Sequence, residues 1–150
     1  MIKENSNLIL KNIVSFRGKV TRKQMQQEML EIKKLRERSI LQKNAPIVTT
    51  TYTVEQVAGQ QILEVEILVP VDRDINVPDK YNIIDRFEII DAIYTQHQGG
   101  LSTLGNTIKE LNRYIKENGK DTYNQIYNVM TDNMCSKHPQ TIFELYMVGK

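Results

Sequence analysis

One order of elements occurs twice in this chain, and it restricts the fold more than any other feature: strand, glycine, helix, strand, strand. Residues 7–17 (NLILKNIVSFR) are rich in Leu, Ile, Val and Phe and run into Gly18. They read as a strand, with a bulge where the alternation fails around Lys11 and Asn12. A helix opens at Thr21, and β-branched residues 47–54 and alternating residues 61–71 supply two further strands joined by a turn at 55–60 around Gly59. The second round starts with a strand at 87–97, turns at Gly99-Gly100, and continues with a helix from Leu101. Strands at 125–130 and 141–148 complete it. The landmarks keep their spacing: 48 positions separate Gly18 from Glu66, and 45 separate Gly99 from Glu144.

Local signals support each helix. Thr21 and Gln24 have the spacing of a capping box, and Val20 with Met25 that of a hydrophobic staple. Met25, Met29, Ile32, Leu35 and Ile40 form the first apolar stripe, which Asn44 and Pro46 end. Leu101, Leu104, Ile108, Leu111 and Ile115 form the second, closed by Asn118-Gly119 as a left-handed stop. Gly105 interrupts that stripe and suggests close packing against a sheet.

These readings add up to an α+β domain built from a duplicated strand-helix-strand-strand unit. Repeat 1 covers about residues 7–71, a polar linker with Pro78 covers 72–82, and repeat 2 covers about 83–150. One copy has too few strands to bury its sheet well. Two copies fused edge to edge give a curved antiparallel sheet with both helices on one face and a cleft on the other. An edge left after the final strand would then be open to dimerisation.

With 150 residues, of which 40% are hydrophobic and 25% charged, the chain is long enough for a core of its own. Its single cysteine, Cys135, excludes an internal disulfide and a Cys-rich zinc site. No apolar run reaches the roughly 20 residues of a membrane helix, and residues 1–6 lack a signal-peptide core, so the cytoplasm is the expected compartment. The net charge of +2 hides a dipole. Residues 17–43 carry nine basic and three acidic side chains, whereas residues 55–91 carry three basic and nine acidic. That is not the uniformly basic field of a nucleic-acid binder, and no nucleic-acid or membrane partner is expected.

Alternation assigns the faces. If Leu63, Val65 and Ile67 meet the first helix, Glu64 and Glu66 lie on the opposite side. By the same parity Phe143, Leu145 and Met147 meet the second helix, while Ile142, Glu144, Tyr146 and Val148 share the face of Glu66. Tyr52, Tyr94 and Tyr127 stand on neighbouring strands and extend that helix-free face. Apolar and aromatic walls with a few placed charges are how small-molecule sites are usually built.

The second half resembles the GyrI-like, effector-binding domain of multidrug-sensing transcription regulators. The similar residues run from Asp91 through Tyr94, His97 and Gly99-Gly100-Leu101 to Tyr114-Ile115-Lys116-Glu117-Asn118-Gly119, then Ile126-Tyr127 and Glu144-Leu145-Tyr146. The family has Pro where this chain has Gly100, and a final Pro where it has Val148-Gly149. The first half fits the duplicated plan more loosely, and the whole chain is similar to short stand-alone Firmicute proteins of this fold. The resemblance implies a ligand-binding unit without a DNA reader of its own. It also implies that Glu144 pairs in the cleft with a cationic, lipophilic molecule, with Glu66 as its counterpart in the first repeat. Tyr146, Tyr127, Tyr94 and Tyr52 are then the candidate aromatic walls.

Other uses of these residues stay open. Glu144 and Glu66 could be solvated, and the tyrosines could pack with their hydroxyls in water. Lys33, Lys34, Arg36 and Arg38 could be the solvated back of the first helix, or that helix or the cleft could dock a protein partner, as in an adaptor or chaperone. Glu144 beside Tyr127 or Tyr94 could serve a cleft hydrolase. Cys135 and His138 lack an orienting third group, His97 reads as structural, and no catalytic residue, metal site or cofactor is assigned.

Overall fold

The structure, a computed structural model, describes residues 2–37, 46–71, 77–98, 101–120, 123–130 and 142–149. Its elements follow in the order β1 (Lys3–Val20), α1 (Arg22–Glu37), β2 (Ile47–Val57), β3 (Gln60–Pro70), β4 (Tyr81–Gln98), α2 (Leu101–Glu117), β5 (Tyr123–Met130) and β6 (Ile142–Gly149). Strand, helix, strand, strand thus occurs twice. The expectations for Ile40, Asn44, Gly99-Gly100, Arg38, Cys135 and His138 lie outside the described residues.

The helix signals are realised as hydrogen bonds. Gln24 N donates to Thr21 Oγ1 at 3.2 Å while Thr21 N donates to Gln24 Oε1 at 2.9 Å, the reciprocal capping box. At the far end of α2, Lys120 N reaches Ile115 O at 2.9 Å and Gly119 N reaches Lys116 O at 3.4 Å. This Schellman stop needs a left-handed residue, and Gly119 takes it at φ 65°.

Several strand boundaries differ from the sequence reading. β1 begins at Lys3 and continues through Gly18, because Gly18 is a packing site for a neighbour rather than a terminus. A Cβ there would stand 3.2 Å from the Phe16 ring, which folds back over it. β4 begins at Tyr81, inside the expected linker, where it pairs with Phe16. The broad turn expected at 55–60 shrinks to Ala58-Gly59, both with positive φ.

Both long strands are interrupted by a left-handed residue. Asn12 (φ 56°) in β1 and Asp91 (φ 55°) in β4 adopt left-handed conformations. The β1–β4 register shifts beside Asp91, between the pairs Ser6–Ala92 and Leu8–Ile89, and runs unbroken past Asn12 from Lys11–Arg86 to Ile13–Ile84; at both residues the two faces of the strand exchange. Leu8 and Leu10 precede Asn12 on the same side that Ile13 occupies after it. Phe87 and Ile89 likewise precede Asp91 on the side of Ala92 and Tyr94. An 18-residue strand can then follow a strongly curved sheet along its length.

The sheet closes into a barrel in the order β1-β3-β2-β5-β6-β4, where an open curved sheet was expected. Two seams join the halves. One pairs Ile47, Val48, Thr49 and Thr50 of β2 with Met130, Val129, Asn128 and Tyr127 of β5. The other runs along β1 and β4 from the pair Lys3–Tyr94 to the pair Phe16–Tyr81. β6 pairs with β4 and β5, so the open edge expected beyond it is already occupied.

The helices pack outside this wall. Ile32, Met25, Met29 and Leu35 of α1 join Leu63, Val65, Ile67 and Val69 in one cluster. Leu111, Ile115, Leu104 and Ile108 of α2 join Ile93, Leu145 and Met147 in another. Ile32 and Leu111 are fully buried, and removing each from water contributes about 1.5–3 kcal/mol. Gly105 does not pack closely: it is exposed, and a Cβ there would meet nothing within 4 Å. The third cluster has no helical residue. Ile13, Val48, Leu68, Ile89, Ala92, Val129 and Tyr146 fill the inner side of the barrel.

Candidate functional site

Strand register brings the inner side chains together. Tyr94 stands opposite Tyr146, Tyr146 opposite Tyr127, Tyr127 opposite Thr50, Thr50 opposite Glu66, and Glu66 opposite Arg17. One path of partners therefore crosses all six strands. A second path, one step along, takes Gln96, Glu144, Val129, Val48 and Leu68. Directly paired Cα atoms lie about 4.5–5.5 Å apart, so side chains of neighbouring strands touch along each path.

The first carboxylate is Glu66, half-buried on β3. The Tyr52 hydroxyl donates to its Oε1 at 2.6 Å. Burial, followed by hydrogen bonds to Glu66 and Tyr127, raises the Tyr52 phenol well above its ordinary range. The Arg17 guanidinium carbon lies 4.1 Å from the centre of the Tyr52 ring, on its face. Arg17 Nη2 also stands 3.8 Å from Glu64 Oε2. Tyr127 is closed from its other side by Phe87, with 5.6 Å between ring centres.

The second carboxylate is Glu144, also half-buried, on β6. The Tyr146 hydroxyl approaches its Oε2 at 3.5 Å, and the Tyr94 ring packs edge-on against Tyr146 at 5.1 Å. Burial and then the Glu144 charge push the Tyr146 phenol up to about 12. Tyr94 is raised by the same two causes in the same order. Among the described residues Glu144 makes no ion pair. A groove lined by Tyr94, Gln96, Gln98 and Lys3 opens beside it, with Gln96 the direct cross-strand partner of Glu144.

All six residues singled out from the sequence therefore share the inner face, in two sets: Glu66 with Tyr52 and Tyr127, and Glu144 with Tyr146 and Tyr94. Tyr127 links the sets, because it reaches Tyr52 and stands opposite Tyr146. The sequence reading missed Arg17, Phe87 and Gln96. Arg17 had been read as the end of the first strand and counted with the basic segment 17–43, whereas the change of face at Asn12 turns it inward with Ile13 and Ser15. The signal was the break in alternation around Lys11 and Asn12.

His97, read as structural, is buried between β4 and α2. Its Nδ1 lies 2.6 Å from Thr107 Oγ1 and its Nε2 3.2 Å from Thr103 Oγ1, and Phe143 stands beside the ring. Hydroxyls can serve both nitrogens, accepting from the protonated one and donating to the other. On α1, Glu28 and Glu31 bind Lys80 and Tyr81 of the other half, and Lys34 is exposed. The side chains of Lys33 and Arg36 lie outside the description. Among the described residues no group of three His, Cys, Asp or Glu is placed to hold a metal, and no helix is long and apolar enough to cross a membrane.

No protein-family model and no curated protein matches the sequence. Solved structures share the fold. An uncharacterized conserved protein from Listeria innocua superposes with a TM-score of 0.67 at 11% identity, covering 98% of this chain and 92% of that one. The EcmrR C-terminal domain gives a TM-score of 0.59 at 14% identity, with coverage of 100% and 96%. In the EcmrR–DNA complex the TM-score is 0.60 at 16% identity, and 98% of this chain matches 55% of the EcmrR chain. At such identities the likeness establishes a common fold.

Proposed function

We propose, proceeding from the GyrI-like effector-binding fold that this chain shares with the EcmrR C-terminal domain, that its inner face binds a lipophilic cation. The observation that carries this reading is Glu144. It is half-buried, lacks an ion-pair partner among the described residues, stands near Tyr146 and Tyr94, and pairs across strands with Gln96, which lines a groove. A carboxylate removed in part from water favours a counter-ion that is itself poorly hydrated. An organic cation with its charge spread over apolar groups meets that condition. Its apolar surface would lie along Val129 and Tyr146, and a tyrosine face adds about 0.5–2 kcal/mol of cation–π attraction.

The test is a thermal-shift screen with lipophilic cations, neutral molecules of the same shape, and matched anions, on the native chain and Glu144→Gln. A ligand at 100 times its dissociation constant stabilises by about 2.7 kcal/mol. At roughly 2–4 °C per kcal/mol for this length, the midpoint rises by several degrees. The reading expects shifts confined to cations and lost in the variant. Equal shifts with cations and neutral molecules, or an undiminished shift in Glu144→Gln, would remove the carboxylate from recognition.

A further inference from the structure

The two carboxylates on the inner face differ in one respect. Glu144 makes no ion pair among the described residues, although Lys3 lines the groove beside it, whereas the set around Glu66 already holds a cation against its aromatic ring. Arg17 is the direct cross-strand partner of Glu66, and its guanidinium covers the Tyr52 ring at 4.1 Å. The same tyrosine gives its hydroxyl to Glu66 at 2.6 Å, and Arg17 also reaches Glu64. An aromatic face next to a carboxylate is what a ligand cation needs, and a side chain of the protein occupies it. A delocalised, weakly hydrated guanidinium resembles an organic cation more closely than lysine does.

We infer that Arg17 is a resident cation that fills the second cation position of the inner face and limits the site to ligands carrying one positive charge. The inference rests on the cation-binding reading above and adds a charge selectivity to it. A ligand with one cationic head uses Glu144 and leaves Arg17 in place. A ligand with two heads joined by a chain must either displace Arg17 from Tyr52 or leave its second charge in water. Arg17 is half exposed and its ion pair with Glu64 is long, so it can swing aside without dismantling the barrel.

The experiment measures binding of decyltrimethylammonium and decamethonium, of equal chain length with one and two charges, by calorimetry. It uses the native chain, Arg17→Gln and Arg17→Lys. Arg17→Gln is expected to raise the ratio of dication to monocation affinity by about tenfold, the scale of one cation–π contact. Arg17→Lys keeps a cation over the ring and is expected to hold the native ratio within about twofold. A native chain that binds the monocation while Arg17→Gln leaves the ratio unchanged would overturn the role of Arg17 alone. Absence of binding of either compound to all three proteins would overturn the cation-binding reading and this inference with it.

Discussion

The Tyr52 hydroxyl and Glu66 Oε1 stand 2.6 Å apart, a contact between adjacent strands on the inner wall of the barrel. Tyr52 sits at the β2 register shift between Thr51 and Thr53, so the hydrogen bond ties an irregular stretch of β2 to β3. Tyr52→Phe keeps the ring beneath Arg17 and removes the donor. A hydrogen bond to a charged acceptor contributes about 1.5–3 kcal/mol, and partial exposure lowers that to about 1 kcal/mol here. The urea midpoint is expected to fall with the slope unchanged. A midpoint equal to that of the native chain would show that water replaces the hydroxyl at no cost.

The faces of the sheet were readable from alternation because β3 alternates without a break. Leu63, Val65 and Ile67 pack on α1, and Leu68 packs inside. The capping box and the Gly119 stop were readable because each is a local arrangement of backbone groups. Closure of the barrel was not. The seam between β1 and β4 depends on residues more than sixty positions apart, and the left-handed residues Asn12 and Asp91 break the period-two pattern that would betray it. Of the candidate site, parity placed Glu66, Glu144 and Tyr146, whereas Arg17 required knowing that Asn12 exchanges the faces of β1.

Alkaline pH should loosen the inner face in a defined window. The Tyr146 phenol rises from its ordinary value of 10 to about 12 in the folded chain, through burial first and the Glu144 charge second. Between those values the unfolded chain has lost the proton and the folded chain still holds it. Stability is therefore intact below pH 10 and declines as pH rises through about 12. Tyr81, also raised to about 12, adds a second contribution on the α1 side. Urea unfolding across this window is expected to show a shallower decline in Tyr146→Phe, and parallel declines in the two proteins would refute the assignment.

The tip of the β2–β3 hairpin is a site for stabilisation. Ala58 and Gly59 both adopt positive φ, at 50° and 79°. Glycine does so freely, while an alanine there crowds its Cβ against the following carbonyl. Asn-Gly is the favoured pair for such a two-residue turn. Ala58→Asn is expected to stabilise by about 0.5–1 kcal/mol, read as a higher urea midpoint, because the tip is exposed and no other packing changes.

Two glycines respond in opposite directions to the same added methyl. At Gly105 the Cβ points into open space from the middle of α2, so Gly105→Ala gains helix propensity and loses nothing. It is expected to stabilise by up to about 1 kcal/mol and to raise the thermal midpoint by roughly 2–4 °C. At Gly18 the Cβ comes within 3.2 Å of the Phe16 ring tip. That ring is buried, lies edge-on to Tyr81 at 6.3 Å, and belongs to the α1-facing cluster, so it has little freedom to withdraw. Gly18→Ala therefore trades a small gain in chain stiffness for strain in that cluster, a net loss of about 1 kcal/mol. Phe16→Leu in the same background shortens the clashing side chain and should make Gly18→Ala neutral or stabilising. A loss of equal size with Leu at position 16 would place the strain in the backbone of β1 instead of the ring.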